Sequence, residues 1–184
     1  MALRKANSYS KQRTVPYTRI GKRKGKSYIK TVPSQKIVKF TMGKERAYEK
    51  GKLPYVLTVV STEKVQVRHN ALESCRQYIN RKLDKQLSGN IMFKVIPYPH
   101  HVQRENKMLT GAGADRMQTG MQLAFGKVVG KAALLKPGSE IFVIAVANPT
   151  AEAFARKLIR QVRPKLPGKV RVDSKNLKKE KEKK

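Results

Sequence analysis

Asn70-Ala-Leu-Glu-Ser-Cys-Arg-Gln-Tyr-Ile-Asn-Arg-Lys-Leu-Asp-Lys-Gln-Leu-Ser-Gly89 decides the fold class. Leu72, Cys75, Tyr78, Ile79, Leu83 and Leu87 recur at three- and four-residue steps, which lays one apolar stripe along a helix. Asn70 with Glu73 three residues on reads as a capping-box start, and Gly89 supplies the stop. The stripe is core rather than a ligand site, and Cys75 on it is a small core residue. As the single cysteine of the chain, Cys75 rules out an intramolecular disulfide and a multi-cysteine zinc site.

Outward from this helix the sequence changes to strand composition on both sides. Upstream, Tyr55-Val-Leu-Thr-Val-Val60 and the alternating Glu63-Lys-Val-Gln-Val67 predict one bent strand or two short ones. Earlier still, Lys36-Ile-Val-Lys-Phe-Thr-Met42 reads as a strand ending at Gly43. Downstream, Ile91-Met-Phe-Lys-Val-Ile96 is a strand stopped by Pro97 and Pro99. Lys127-Val-Val-Gly-Lys-Ala-Ala-Leu-Leu135 and Glu140-Ile-Phe-Val-Ile-Ala-Val146 are strands joined across the Lys136-Pro-Gly-Ser139 turn. A second helix follows, capped by Asn148 or Thr150 with Pro149 in its first turn. Phe154, Leu158, Ile159 and Val162 form its buried face, while Arg156, Lys157, Arg160 and Arg163 point elsewhere. Pro164 and Pro167-Gly168 end it, and Lys169-Val-Arg-Val172 returns as an edge strand. Strand pairs flank each helix without regular βαβ alternation, so the fold class is α+β. The expected form is a mixed sheet with two main helices packed on it.

Three regions follow: a basic N-terminal extension over residues 1–35, a single α+β domain over 36–173, and a charged disordered tail over 174–184. The 184 residues are enough for one domain with extensions, and 39% are hydrophobic, enough for a core. Charge is the unusual quantity. Lys and Arg number 42 against 12 Asp and Glu, a net +30, which repels itself and calls for a polyanionic partner. Nucleic acid fits better than a membrane surface, because the cations are spread along the chain rather than along one amphipathic helix. No apolar run reaches the length of a membrane span and no apolar signal region opens the chain, so a soluble cytoplasmic protein is expected.

No acidic residue precedes Glu45, and Arg19-Ile-Gly-Lys-Arg-Lys-Gly-Lys26 is a cationic run interrupted by glycines. Such a segment cannot bury enough apolar surface to fold alone and should be an extended arm. Arg4, Lys5, Lys11, Arg13, Arg19, Lys22, Arg23, Lys24 and Lys26 can neutralise phosphates, while Tyr9 and Tyr17 can stack on unpaired bases.

The stretch from Tyr98 to Gly126 reads as neither sheet nor regular helix, apart from a short helix between Asp115 and Phe125. Its middle, Thr110-Gly-Ala-Gly-Ala114, has only small side chains, so the backbone is slender and can take positive φ at Gly111 and Gly113. Its shoulders carry Arg104, Asn106, Lys107, Asp115, Arg116, Gln118 and Thr119, which suits insertion into a narrow, negatively charged crevice.

Catalytic readings fail on spacing. His100-His101 diverge in direction and lack a cysteine cluster, so they do not make a metal site. Gly111-Ala-Gly113 starts like a dinucleotide fingerprint, but Arg116 occupies the third glycine position. Gly126-Lys-Val-Val-Gly130-Lys131 has the wrong spacing for a phosphate-binding Walker loop. Only Glu105 and Asp115 are acidic in the central stretch, too few for acid–base chemistry, and neither Ser nor Cys has a His partner there. Neither an enzyme nor a cofactor is implied. An RNA-modifying enzyme would need a cofactor fingerprint or a carboxylate cluster, and a free-standing RNA chaperone or DNA-coating protein would bind many nucleic acids without discrimination.

Asn106-Lys-Met-Leu-Thr-Gly-Ala-Gly-Ala-Asp-Arg-Met-Gln-Thr-Gly-Met121 with Ala124-Phe-Gly-Lys127 closely resembles the signature of one family. It is that of the large-subunit ribosomal proteins called L-ten-e in archaea and eukaryotes and L-sixteen in bacteria. Pro16-Tyr-Thr-Arg19, Val32-Pro33, Lys36-Ile37, Phe40, Gly43 and His101-Val102 are similar too, so the resemblance covers all but the charged tail. It implies a hammerhead-type α+β fold, a structural role in the large subunit, and binding to large-subunit rRNA beside neighbouring ribosomal proteins. It also implies a central loop directed at the peptidyl-transferase region and the tRNA acceptor arm. Carried over by position, that loop comprises Lys107, Met108, Thr110, Gly111, Ala112, Gly113, Asp115 and Arg116, with Arg104, Asn106, Gln118 and Thr119 at its base.

Overall fold

A computed structural model describes residues 10–11, 19–20, 27–28, 31–87, 89–105 and 126–177. In chain order the elements are β1 (Arg19–Ile20), β2 (Ser27–Tyr28), β3 (Thr41–Gly43), α1 (Glu45–Glu49), β4 (Tyr55–Ser61) and β5 (Val65–Arg68). They continue as α2 (His69–Leu87), β6 (Ile91–Val95), β7 (His101–Glu105), β8 (Lys127–Leu135), β9 (Glu140–Val146), α3 (Pro149–Val162) and β10 (Val170–Asn176). A 3₁₀ turn, Arg163–Lys165, follows α3.

Five strands form one sheet in the order β10-β4-β9-β6-β3, three form another in the order β5-β8-β7, and β1 pairs with β2. Among the described residues every ladder is antiparallel, which corrects the expected mixed sheet. The crossover through β5 and α2 does make β4 and β6 run in the same direction. β9 lies between them and pairs with both, so no parallel ladder forms. The two strands joined at residues 136–139 do not pair with each other: β8 belongs to the small sheet and β9 to the large one.

β4 and β9 are nearly unbroken apolar runs because both of their faces are covered. On one face, Leu57, Val59, Phe93, Phe142 and Ile144 join Leu72, Cys75, Ile79 and Leu83 of α2 and Ala155, Leu158 and Val162 of α3 in the main core. Phe93 and Phe142 meet there with ring centroids 5.7 Å apart. On the other face, Val56, Met92 and Ala145 pack with Leu53 under Ala47 and Tyr48 of α1, a helix that the residue pattern did not reveal. Val65, Val67, Ala133 and Leu135 turn one face of the small sheet into the main core as well, so α2 bridges the two sheets.

Several local expectations are corrected. Regular pairing covers only Thr41–Gly43 of the predicted 36–42 strand, although the Phe40 carbonyl accepts from Val95 N at 2.8 Å. α2 starts at His69 and no capping box forms. Glu73 accepts instead from Arg76 Nη2 at 2.6 Å, Arg76 Nε at 2.7 Å, Gln77 Nε2 at 3.0 Å and Val38 N at 3.4 Å. With a guanidinium beside it, the carboxylate binds that charge rather than the amides at the start of its own helix. Ala151 and Ala155 line the buried face of α3, with Phe154 only partly buried at its margin. Asn148 occupies the N-cap of α3 without a side-chain cap bond. The predicted edge strand at 169–172 extends to Asn176 and pairs along all of β4, where Arg171, Asp173 and Lys175 place charge on the open edge.

Candidate nucleic-acid interface

The residues that bracket the central stretch form a paired base. β7 and β8 run together until Glu105 faces Lys127, with a register shift between Gln103 and Arg104. Arg104 Nη1 donates to the Gly126 carbonyl at 3.1 Å, tying the two ends together. Gly126 has φ +104°, a conformation that suits glycine, where the chain re-enters the sheet. Residues 101–105, expected to be irregular, are therefore strand, and Arg104 is a half-buried clamp rather than a free cationic shoulder. A ladder partner outweighed the proline-flanked, polar composition that made this segment look like loop.

Where the basic arm meets the body, the carbonyl of buried Ser10 accepts from Gln66 N at 2.9 Å on β5, an outer strand of the small sheet. β1 pairs with β2 (Arg19 opposite Tyr28, Ile20 opposite Ser27), so residues 19–20 and 27–28 form a short antiparallel ladder.

Four carboxylates of the described body are drawn into ion pairs. Glu73 holds Arg76, Glu152 holds Arg156 at 3.2 Å, Asp173 holds Arg171 at 2.8 Å and Glu45 meets Lys94 at 3.4 Å. Arg76 holds the Glu73 carboxyl below the usual carboxylate range. The outer sides of α2 and α3 expose Arg81, Lys82, Lys85, Lys157 and Arg160, cations available to phosphates. Phe40 stacks on Tyr98 with centroids 5.4 Å apart, and Tyr98 meets His100 at 4.5 Å. Tyr98 is 45% exposed, so this row of rings forms a ledge on which a base can stack.

His69 is the most perturbed base of the body. Its imidazole is pushed down to about 4, first by burial and then by the charges of Lys36, Lys131 and Arg68. Burial also lowers His101, and it pushes the Cys75 thiol up to about 12, as suits an inert core residue. Among the described residues no cluster of His, Cys, Asp and Glu could hold a metal ion. No helix there is long and apolar enough to cross a membrane.

The family model described as ribosomal protein L16p/L10e matches residues 12–173. The chain belongs to that family. Curated archaeal relatives named "Large ribosomal subunit protein uL16" agree. The one from Staphylothermus marinus is 41% identical over 179 residues, covering 97% of each chain. That from Sulfolobus acidocaldarius is 40% identical over 183 residues, covering 98% of each, and that from Hyperthermus butylicus is 41% identical over 173 residues.

In this L16p/L10e member, Arg104 alone of the expected loop residues falls within the described residues. Asn106, Lys107, Met108, Thr110, Gly111, Ala112, Gly113, Asp115, Arg116, Gln118 and Thr119 lie outside them, as does the short helix expected from residue 115. Of the arm residues, Lys11 is exposed and Arg19 is placed only by its backbone in β1. Arg4, Lys5, Tyr9, Arg13, Tyr17, Lys22, Arg23, Lys24 and Lys26 lie outside. Sequence reading missed the ring ledge, since Phe40 and Tyr98 are far apart in the chain. The environment of His69 was also hidden, because it depends on which strand lies opposite the start of α2.

Proposed function

We propose that this L16p/L10e member is a structural constituent of the large subunit of the cytoplasmic ribosome. It binds large-subunit rRNA through its basic arm, residues 1–35, and the cationic faces of its body, residues 36–173. Its central loop helps position the tRNA acceptor arm near the peptidyl-transferase region, and neighbouring ribosomal proteins complete its surroundings. The observation that carries this reading is the family match across residues 12–173 of a chain with net charge +30. Support for the loop comes from its anchorage, since the ladder and Arg104 hold residues 105 and 126, between which it lies, side by side.

Phosphate neutralisation would dominate affinity, with RNA shape rather than base identity supplying selectivity. For about 6–10 phosphate contacts, affinity falls roughly 10³–10⁵-fold between about 50 and 200 mM salt. Removing residues 1–30 should weaken association with large-subunit rRNA and flatten that salt dependence. Unchanged binding at physiological salt would overturn the role of the arm. Arg116→Ala should leave the fold intact, by circular dichroism, while impairing tRNA positioning in translation. Normal translation with that variant would remove the loop from the mechanism.

A further inference from the structure

Among the described residues, the large apolar side chains left exposed are Val32, Val38, Ile96, Tyr98 and Leu134. All but Leu134 belong to two segments, 31–40 and 96–100, that meet at Phe40. Val95 N donates to the Phe40 carbonyl at 2.8 Å. Beyond this bond the Phe40 and Tyr98 rings stack, with centroids 5.4 Å apart and planes 22° from parallel. His100 follows on Tyr98, its centroid 4.5 Å away and its plane tilted by 46°. Single exposed apolar residues need no explanation, whereas several gathered in one place mark a contact surface.

The chain holds this surface ready for a partner. Pro97 and Pro99 fix their own φ, and each holds the residue before it extended, so Tyr98 keeps little backbone freedom. Pro99 is buried while Tyr98 and His100 on either side are exposed, the alternation of an extended chain with one side against the body. Phe40, partly buried against the main core, backs the Tyr98 ring. Rings placed in advance lose little freedom when something binds to them.

The chemistry of the surroundings selects the occupant. Tyr98 and His100 offer flat π faces with polar edges rather than an aliphatic groove. Lys39, next to Phe40 in the chain, is exposed and enters none of the ion pairs among the described residues. Residues 31–44 contain no Asp or Glu. A nucleotide joins a flat base to an anionic phosphate and so matches both the rings and the positive charge. An apolar peptide segment matches the rings alone.

We propose that Tyr98 and His100, backed by Phe40, form a stacking platform for one unpaired base of large-subunit rRNA. The assignment rests on the rRNA-binding reading and adds to it a contact whose strength does not come from counterion release. Stacking accepts any base, so the platform selects an unpaired nucleotide at a fixed place rather than a sequence.

The test measures binding of the full-length protein to protein-free large-subunit rRNA over a series of salt concentrations. Plots of log K against log salt for wild type and Tyr98→Leu should run parallel, because stacking releases no counterions. The variant should be about 5–150-fold weaker throughout. Tyr98→Phe, which keeps the ring, should follow the wild-type line. His100→Ala should also lie below wild type with the same slope. Its side chain is exposed, so it keeps the test decisive should Tyr98→Leu disturb the packing of Phe40. Lines for Tyr98→Leu and His100→Ala that coincide with wild type overturn the platform and leave the proposed function standing. A lowered slope in both variants also overturns it, since the rings would then be holding phosphate contacts in place. A loss seen only when the other large-subunit proteins are already on the RNA overturns the base as occupant and gives the surface to a neighbouring protein. Absence of rRNA binding by wild type overturns the proposed function, and the platform with it.

Discussion

His69→Gln removes one titrating group and should change how the stability of the protein responds to acid. In the folded chain the His69 imidazole titrates at about 4 instead of 6.5, because burial and the charges of Lys36, Lys131 and Arg68 disfavour its protonated form. On acidification the unfolded chain takes up the proton first, from about pH 6.5 downward, while folded His69 stays neutral. The stability this contributes is complete above the unfolded pKa and is lost as pH falls toward about 4, below which both states are protonated. At about 1.4 kcal/mol per pH unit, the displacement amounts to at most about 3 kcal/mol of stability lost between neutrality and pH 4. Urea unfolding of full-length wild type and His69→Gln across this range measures it. Glu73 and His101 are also displaced, but they respond alike in both proteins, so the difference between the two curves isolates His69. The gap should shift by about 2–3 kcal/mol against wild type on going from neutrality to pH 4. Parallel curves would show that the imidazole is solvated in the folded chain and would refute its burial at the start of α2.

Phe142→Ala should cost about 3–5 kcal/mol in urea unfolding, because the ring is 1% exposed and packs on Phe93, and the strands around it cannot close the cavity. Glu73→Ala should destabilise by about 3–5 kcal/mol, since it strands the half-buried Arg76 guanidinium and leaves Val38 N and Gln77 without their acceptor. Glu73 should also add to acid sensitivity below the ordinary carboxylate pKa, because its depressed carboxyl must be protonated on unfolding in acid. The Glu73→Gln variant should show a shallower acid limb in the same denaturation series.

The helices and most strands were legible because their signals are local. The stripe from Leu72 to Leu87 and the apolar runs of β4 and β9 each state their own period. What could not be read was which strand would lie beside which. β9 pairs with β4 and β6 rather than with β8, its neighbour in the chain, and this choice separates two sheets that looked like one. β7 is polar and flanked by prolines, so only its ladder to β8 reveals it as a strand. α1 has five residues and no apolar stripe of its own, and it exists because Ala47 and Tyr48 cover the second face of the large sheet. The candidate interface divides in the same way. Composition alone carries the expectation of a basic arm and a glycine-rich loop. The ring ledge and the packing of His69 over Gly130 are products of register, which no single segment encodes.

Sedimentation of the tagged full-length protein from cell lysate through a high-salt sucrose gradient tests the central claim most directly. A structural constituent of the large subunit comigrates stoichiometrically with that subunit and stays with it as salt is raised. Protein spread through free RNA fractions, or released from the subunit at modest salt, would contradict that role and favour a chaperone or an assembly factor.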